Sequence, residues 1–114
     1  MIEQLIAQVF EARNAAHGQH WKTNNGEQHR ALGEFYDEAI DVLDRYVETH
    51  QGLFGLVGDT PDQTKDITNA LRDQMIWLTK NRADVTRGIP PLQNIYDELT
   101  AVYLKTLYKL EHLR

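Results

Sequence analysis

The sequence predicts an all-α protein that folds as an antiparallel four-helix bundle. Apolar residues recur at intervals of three and four through most of the chain, which is the spacing of an amphipathic helix. Alternating β-branched runs are few, and no hairpin-type turn joins two of them. The three prolines, Pro61, Pro90 and Pro91, lie where the helical pattern stops. Four helical segments with mostly short links favour an antiparallel bundle.

The composition predicts a single cytoplasmic domain over residues 1–114, close to the commonest domain size. Cysteine is absent, so neither a disulfide nor a thiolate ligand is available. The formal charge is -5, from 12 basic and 17 acidic residues, and no basic tract or tail stands out. Nucleic-acid binding is therefore not expected, because it needs a basic patch. No apolar run is long enough for a membrane span, and the first residues do not resemble a signal peptide.

The first half of the chain predicts two helices joined by a short turn at residues 22–26. The first helix extends from about Ile2 to Trp21. Its apolar stripe consists of Ile2, Leu5, Ile6, Val9, Ala12 and Ala16. The second helix extends from about Glu27 to His50. Its stripe consists of His29, Leu32, Tyr36, Ile40, Leu43 and Val47. The pattern is then broken by Gly52, Gly55, Gly58 and Pro61.

The second half predicts two further helices. Thr60 or Asp62 is expected to cap the third helix, with Pro61 in its first turn. The stripe of this helix consists of Ile67, Leu71, Met75, Leu78, Arg82 and Val85. Arg82 is unusual on an inner stripe and predicts an acidic partner or an interface. Residues 88–91, Gly-Ile-Pro-Pro, end the third helix. The fourth helix has a stripe of Leu92, Ile95, Leu99, Val102, Thr106, Leu110 and Leu113.

Three histidines and a carboxylate pair are the candidate metal ligands. They are His17, His20, His29, Asp44 and Glu48, and imidazole and carboxylate are ligand types that suit iron, manganese and zinc. His20 lies near the end of the first helix and His29 near the start of the second. Antiparallel packing therefore places the two at similar height, with His17 one turn below His20. Asp44 and Glu48 share a helix face because they are four residues apart.

One chain does not bring all of these groups to a single ion. His29 and Asp44 are separated by 15 residues on one helix, which corresponds to about 22 Å of helical rise. Metal–ligand bonds are only about 2 Å long. Either the histidines and the carboxylates serve different purposes, or two copies pack with their second helices antiparallel. In the second case a two-fold dimer builds two identical sites across its interface.

The order of these residues is distinctive. It reads His17-x-x-His20-Trp21, a short turn containing Asn and Gly, His29, Tyr36 and Asp44-x-x-x-Glu48. This order resembles the Dps branch of the ferritin-like superfamily and covers about Ala16 to Gly52. The resemblance implies a ferritin-like four-helix bundle that acts as a ferroxidase. Such a protein oxidises Fe(II) with peroxide or dioxygen at sites between two subunits.

The same resemblance implies a role for each ligand. His20 and His29 come from one subunit and Asp44 and Glu48 from the other, while His17 matches an accessory histidine of some members. The implied metal is iron, as Fe2+ and Fe3+, with Zn2+ or Mn2+ as alternatives in the same site. The implied assembly is a homodimer or a larger homo-oligomer.

Several features depart from the family. The turn before His29 is about three residues shorter, and the Lys-rich tail used for DNA binding is missing. Gly33 stands where many members have another carboxylate, one turn after the second histidine. Trp21, beside the candidate site, is expected to be either an anchor of the core or interface or a relay for an electron. The alternative interpretation is a structural or interaction bundle with a decayed or purely structural metal site, similar in size to small ferritin-like proteins of tailed phages.

Overall fold

The computed structural model of the protein describes residues 1–113, and Arg114 lies outside this range. The described chain contains helices α1 to α4 and no β-strand, which confirms the all-α prediction. Their bounds are Ile2–Lys22, Gly26–Phe54, Ile67–Thr86 and Pro90–His112. Within that range, no helix combines the length and the apolarity needed to cross a bilayer. The chain divides into two compact units, Met1–Gln63 with α1 and α2, and a second that begins at Thr64 and contains α3 and α4.

A tight turn joins α1 and α2 into a helical hairpin. The side chain of Asn25 caps α2 by accepting a hydrogen bond from Gln28 N at 3.0 Å. Thr23 Oγ1 donates to Gln28 Oε1 at 2.6 Å and accepts from Asn25 N at 3.2 Å. These bonds satisfy polar groups that a helix end leaves free, so the turn is held by its own side chains. The core of this hairpin contains Ile6, Ala16 and Leu43.

Helix α2 is longer than the sequence predicts. The predicted end was His50, but α2 continues to Phe54, with Gly52 inside the helix. A glycine in a helix interior costs about 1 kcal/mol relative to alanine and weakens the helix without ending it. Gly55 follows the last helical residue with a φ of 92°, a conformation that favours glycine, so the helix ends there.

Helix α3 begins later than predicted. Thr60 and Asp62 do not cap it; Asp66 does, through a 3.0 Å hydrogen bond from Asn69 N to Asp66 Oδ1. Asp62 has a φ of 59°, which is incompatible with a helix start. Thr60 N instead donates to Gln63 Oε1 at 2.9 Å, so residues 60–63 form a separate turn. Because α2 also ends later than predicted, the connection between α2 and α3 is shifted along the chain to residues 55–66.

The α3–α4 hairpin is held by a buried hydrogen bond at its centre. Tyr96 is only 8% exposed, and its hydroxyl donates to Leu78 O at 2.6 Å. Leu107 and Thr86 are buried in the same unit, and Thr86 Oγ1 donates to Arg82 O at 2.7 Å. The two helices are joined by a turn in which Arg87 and Gly88 both have positive φ, so α3 ends in the left-handed conformation.

Arg82 has the acidic partner that the sequence predicted as one of two options. Its guanidinium donates two hydrogen bonds to Asp97, from Nε at 2.8 Å and from a terminal nitrogen at 2.9 Å. The hydrogen bond from this guanidinium lowers the pKa of the Asp97 carboxyl from its ordinary value. Because the pKa of Asp97 is lower in the folded state, the ion pair stabilises the fold at pH values above the pKa that Asp97 has in the unfolded chain. This stabilisation is lost as the pH falls through the folded-state pKa. Because the pair is partly exposed, solvent screens it and the contribution is small.

Replacing Tyr96 with phenylalanine tests the central hydrogen bond of the α3–α4 hairpin. Tyr96→Phe is expected to lower the free energy of unfolding by about 1 kcal/mol, because a buried hydroxyl and its acceptor lose their bond. The measurement is urea unfolding followed by circular dichroism. Tyr108→Phe is the matched control, since Tyr108 is 54% exposed, and it should change stability by less than about 0.5 kcal/mol. Equal effects of the two substitutions would contradict the assignment.

Candidate metal centre

His20 and His29 face each other across the α1–α2 turn and exchange hydrogen bonds. His20 Nδ1 donates to the backbone carbonyl of His29 at 2.6 Å, and His29 Nδ1 donates to the carbonyl of His20 at 2.7 Å. The two rings are stacked, with centroids 3.6 Å apart and planes inclined by 18°. We call this pair the histidine clasp. The two histidines that the sequence predicted to meet therefore do meet within one chain.

The clasp follows from the ends of the two helices. The last carbonyls of α1 have no partner within the helix, and His29 supplies one of the missing donors to His20 O. A carbonyl oxygen only accepts, so the Nδ1 atom of each ring must carry the hydrogen. The Nε2 atom of each neutral ring then keeps its lone pair. A backbone carbonyl that fixes the opposite nitrogen in this way is the usual arrangement behind a metal-ligating histidine.

Gly33 provides the space in which the His20 ring lies. A Cβ atom at Gly33 would be 3.0 Å from His20 Cε1 and 3.2 Å from His20 Nδ1. Ordinary contacts of a Cβ atom are longer, so any larger residue would press on the ring. Gly33 lies one turn after His29 on α2, and the ring of His20 occupies the position that a side chain there would fill.

His17 belongs to a neighbouring aromatic cluster and not to the clasp. Its ring stacks on Tyr36 with centroids 4.0 Å apart and planes inclined by 13°, and it contacts Trp21 at 4.4 Å. The centroids of His17 and His20 are 6.4 Å apart. The His20 ring meets Tyr36 edge-on at 5.5 Å, so His17, Trp21, Tyr36 and His20 form a continuous series of rings. Trp21, at 72% exposed, is its surface end.

Asp44 and Glu48 lie on α2 well beyond the clasp. Both are exposed, and they border a groove of about 280 Å³ whose apolar lining includes Ile6, Phe10 and Val47. Residues Val57 and Thr60, from the segment after α2, line the same groove. The structure therefore leaves both carboxylates accessible and separates them from the histidines along a continuous helix. The rise per residue keeps Asp44 about 22 Å from His29.

The donor types suit a metal ion, but the described residues of one chain do not bring the predicted ligands together. Within residues 1–113, no group of three or more histidine and carboxylate side chains is arranged to hold an ion. The clasp itself offers two Nε2 atoms on nearly parallel rings. Lone pairs on parallel rings do not converge, so binding a common ion requires one ring to tilt. His29 is exposed and has room to tilt, whereas His20 is half-buried against Gly33.

Two residues of this region have roles that sequence reasoning missed. Gly33 was interpreted as a lost carboxylate, but it makes room for the imidazole of His20. Tyr36 was predicted as part of the inner stripe and of the residue order that carries the resemblance, but its ring also stacks on that of His17. The available signal was spacing: a glycine four residues after His29 faces the same side of the helix as that histidine.

A double-mutant cycle tests whether the clasp acts as a unit. His20→Ala and His29→Ala each remove the ring stack and one hydrogen bond, so the two effects on the free energy of unfolding should not add. We expect a coupling of about 0.5–1.5 kcal/mol. The control cycle pairs His20→Ala with His50→Ala, because His50 is about 31 Å from His29 along α2. Additive effects in the His20–His29 cycle would exclude a coupled clasp.

Comparison with known proteins gives a family but no function. No curated protein and no solved structure matches the chain. A family model described as "Family of unknown function (DUF5856)" matches residues 20–110, which includes the clasp, the carboxylate pair and nearly all of α3 and α4. Since this match covers well over half of the sequence, the chain belongs to the family DUF5856.

Proposed function

We propose that the protein is a cytoplasmic, homo-oligomeric metal-binding protein whose sites oxidise Fe(II) in the manner of the Dps branch of the ferritin-like superfamily. The observation that carries the proposal is the histidine clasp. Two imidazoles whose Nδ1 atoms are committed to backbone carbonyls keep their Nε2 lone pairs for an ion. Fe2+ is the proposed substrate, and Zn2+ and Mn2+ are alternatives for the same donors.

The carboxylate half of each site is proposed to come from a second copy. Asp44 and Glu48 are exposed and lie at the edge of an open groove, about 22 Å and about 28 Å from His29 along α2. An antiparallel approach of two α2 helices brings the clasp of one copy to the carboxylates of the other. The two-fold symmetry of such a dimer then makes two equivalent sites, each with His20 and His29 from one chain and Asp44 and Glu48 from its partner.

The proposed chemistry uses the different properties of these ligands. Carboxylates favour the more highly charged ferric ion, and neutral imidazoles complete the coordination. Each Fe(II) loses one electron, so two ions together reduce one hydrogen peroxide and, with two protons, give two waters. Trp21 and His17 are proposed to assist as a route for electrons between the surface and the site, because their rings are 4.4 Å apart and continue to Tyr36. His17 is an accessory ligand in this proposal.

We also propose that the two hairpins close into a single antiparallel four-helix domain of the ferritin-like type. Apolar side chains of α2, among them Phe35, Val42 and Tyr46, are 45–55% exposed and line a groove of about 580 Å³. In α4, the apolar stripe that includes Leu92, Ile95 and Leu99 is 46–63% exposed. The charges of the two halves are complementary: residues 1–63 carry eleven acidic and four basic side chains, whereas residues 64–114 carry six acidic and eight basic ones.

Ile95→Asp tests the proposed bundle. If the stripe of α4 is covered in the folded protein, a buried carboxylate should lower the free energy of unfolding by more than about 2 kcal/mol. If the stripe faces water, the change should stay below about 1 kcal/mol. Asn94→Asp introduces the same carboxylate at the neighbouring exposed position and should leave stability within about 0.5 kcal/mol. Urea unfolding of the three proteins distinguishes the two results.

Metal binding by single variants tests the ligand set. The wild-type protein is expected to bind Fe2+, Zn2+ or Mn2+ at neutral pH, and His29→Ala and Glu48→Ala should each weaken binding by at least about tenfold in calorimetric titrations. His50→Ala and Glu38→Ala are the controls, because neither belongs to the proposed site. A wild-type protein that binds none of these ions would overturn the proposal.

Mixing the two variants tests whether each site spans two chains. A heterodimer of one His29→Ala chain and one Glu48→Ala chain contains one site with both defects and one intact site. Binding with the wild-type affinity should therefore return for one ion per heterodimer, whereas dimers of either variant alone keep only the weakened binding. A metal-loaded protein that sedimented as a monomer would contradict the two-chain site.

The alternative function, a structural bundle, draws support from the same hydrogen bonds, since the clasp also ties α1 to α2. The structural and the ferroxidase proposals differ in the peroxide consumption that they predict in the presence of Fe(II). A structural clasp predicts that His29→Ala lowers stability while peroxide consumption in the presence of Fe(II) matches that of buffer. The ferroxidase proposal predicts consumption of one peroxide for every two Fe(II), which is lost in Glu48→Ala although that substitution leaves the clasp intact.

A further inference from the structure

We infer that Gly33 is a positioning residue that fixes the orientation and the tautomer of the His20 imidazole. The inference rests on the proposed function in one respect, namely that His20 is a metal ligand. Its structural basis is independent of any metal. Gly33 is the one glycine of the described chain whose missing Cβ would lie within 3.4 Å of another group, and that group is the His20 ring.

A side chain at position 33 would press on the atoms of the His20 ring that form the clasp. A Cβ at Gly33 would approach His20 Cε1 at 3.0 Å and Nδ1 at 3.2 Å, and Nδ1 is the atom that donates to His29 O. The ring also stacks on His29 and meets Tyr36 edge-on, so it is bounded on several sides. The ring can avoid an added methyl group most simply by rotating about its own side-chain bonds. That rotation breaks the hydrogen bond to His29 O, so the hydrogen is no longer held on Nδ1.

The same contact restricts which ligands the site has. Position 33 lies one turn after His29, on the face of α2 that carries the clasp. A carboxylate placed there would displace the His20 ring before it reached an ion beside it. The histidine end of each site therefore offers imidazole nitrogens without a carboxylate at position 33 of its own α2, so the carboxylates of the proposed site come from the partner chain.

Gly33→Ala tests the inference, with Gly52→Ala as the matched control. Both glycines lie inside α2, and alanine improves helix propensity by about 1 kcal/mol at either position. A Cβ at Gly52 meets nothing within 4 Å. Both variants are expected to fold, because the added methyl group at position 33 meets a side chain and not backbone. The difference between them therefore isolates the contact with His20.

The first readout is the nitrogen NMR spectrum of the histidines in the metal-free protein at alkaline pH, where imidazoles are neutral. Wild type and Gly52→Ala should both show His20 and His29 with hydrogen on Nδ1. In Gly33→Ala the His20 signals should change to those of an imidazole free of this constraint. A merely structural role of the glycine would not move this signature. An unchanged His20 spectrum in Gly33→Ala would overturn the inference.

The second readout is calorimetric titration with Zn2+ alone. Wild type and Gly52→Ala should bind one ion per chain, and Gly33→Ala should bind at least about tenfold more weakly. A changed spectrum with unchanged Zn2+ affinity would overturn the link to metal binding. If wild type binds no metal but Gly33→Ala still alters the His20 tautomer, the proposed function fails while the positioning role of Gly33 stands.

Discussion

The reciprocal hydrogen bonding of His20 and His29 is the constraint on which the candidate site depends. Each ring uses Nδ1 to satisfy a carbonyl of the other residue, so the same two bonds tie α1 to α2 and set both tautomers. The turn between the helices is itself held by Thr23, Asn25 and Gln28. The result is a pair of imidazoles whose positions are set by backbone atoms on both sides.

Helix geometry then explains why the histidine clasp and the carboxylate pair stay apart within one chain. α2 is a single continuous helix from Gly26 to Phe54, so its rise keeps the carboxylate pair far from the clasp. The extension of α2 beyond His50 makes this separation rigid, because Asp44 and Glu48 lie well inside the helix and not in its last, frayed turn. In the proposed site, the clasp and the carboxylates therefore meet only when a second molecule supplies one of them. The dimer and the metal site are therefore linked proposals.

The α3–α4 hairpin is stabilised by a different kind of contact. Its centre is tied by one buried hydroxyl, Tyr96 to Leu78 O, and its flank by the ion pair of Arg82 and Asp97. Both contacts stabilise the packing of α4 on α3. The candidate metal ligands all lie in the first unit, which also carries the excess of acidic residues.

The sequence by itself determined the helical class, the approximate extents of the helices and the meeting of His20 with His29. Periodicity and turn composition depend on local spacing, which a sequence displays directly. An acidic partner of Arg82 was one of the two options that the sequence left open, and the structure shows it to be Asp97. The start of α3 was not, because the left-handed backbone of Asp62 and the cap at Asp66 depend on how residues 60–66 turn.

Only the tertiary structure decided what occupies the space beside His29. From the sequence, Gly33 is the absence of a ligand, His20 and His29 are the two main histidine ligands, and His17 is an accessory one. In the folded hairpin, His17 stacks on Tyr36, while His20 fills the volume above Gly33 and exchanges bonds with His29. The physical reason is that a ring's position follows from contacts between two helices. Those contacts are set by side-chain volumes on both helices, and the pattern along either helix alone does not contain them.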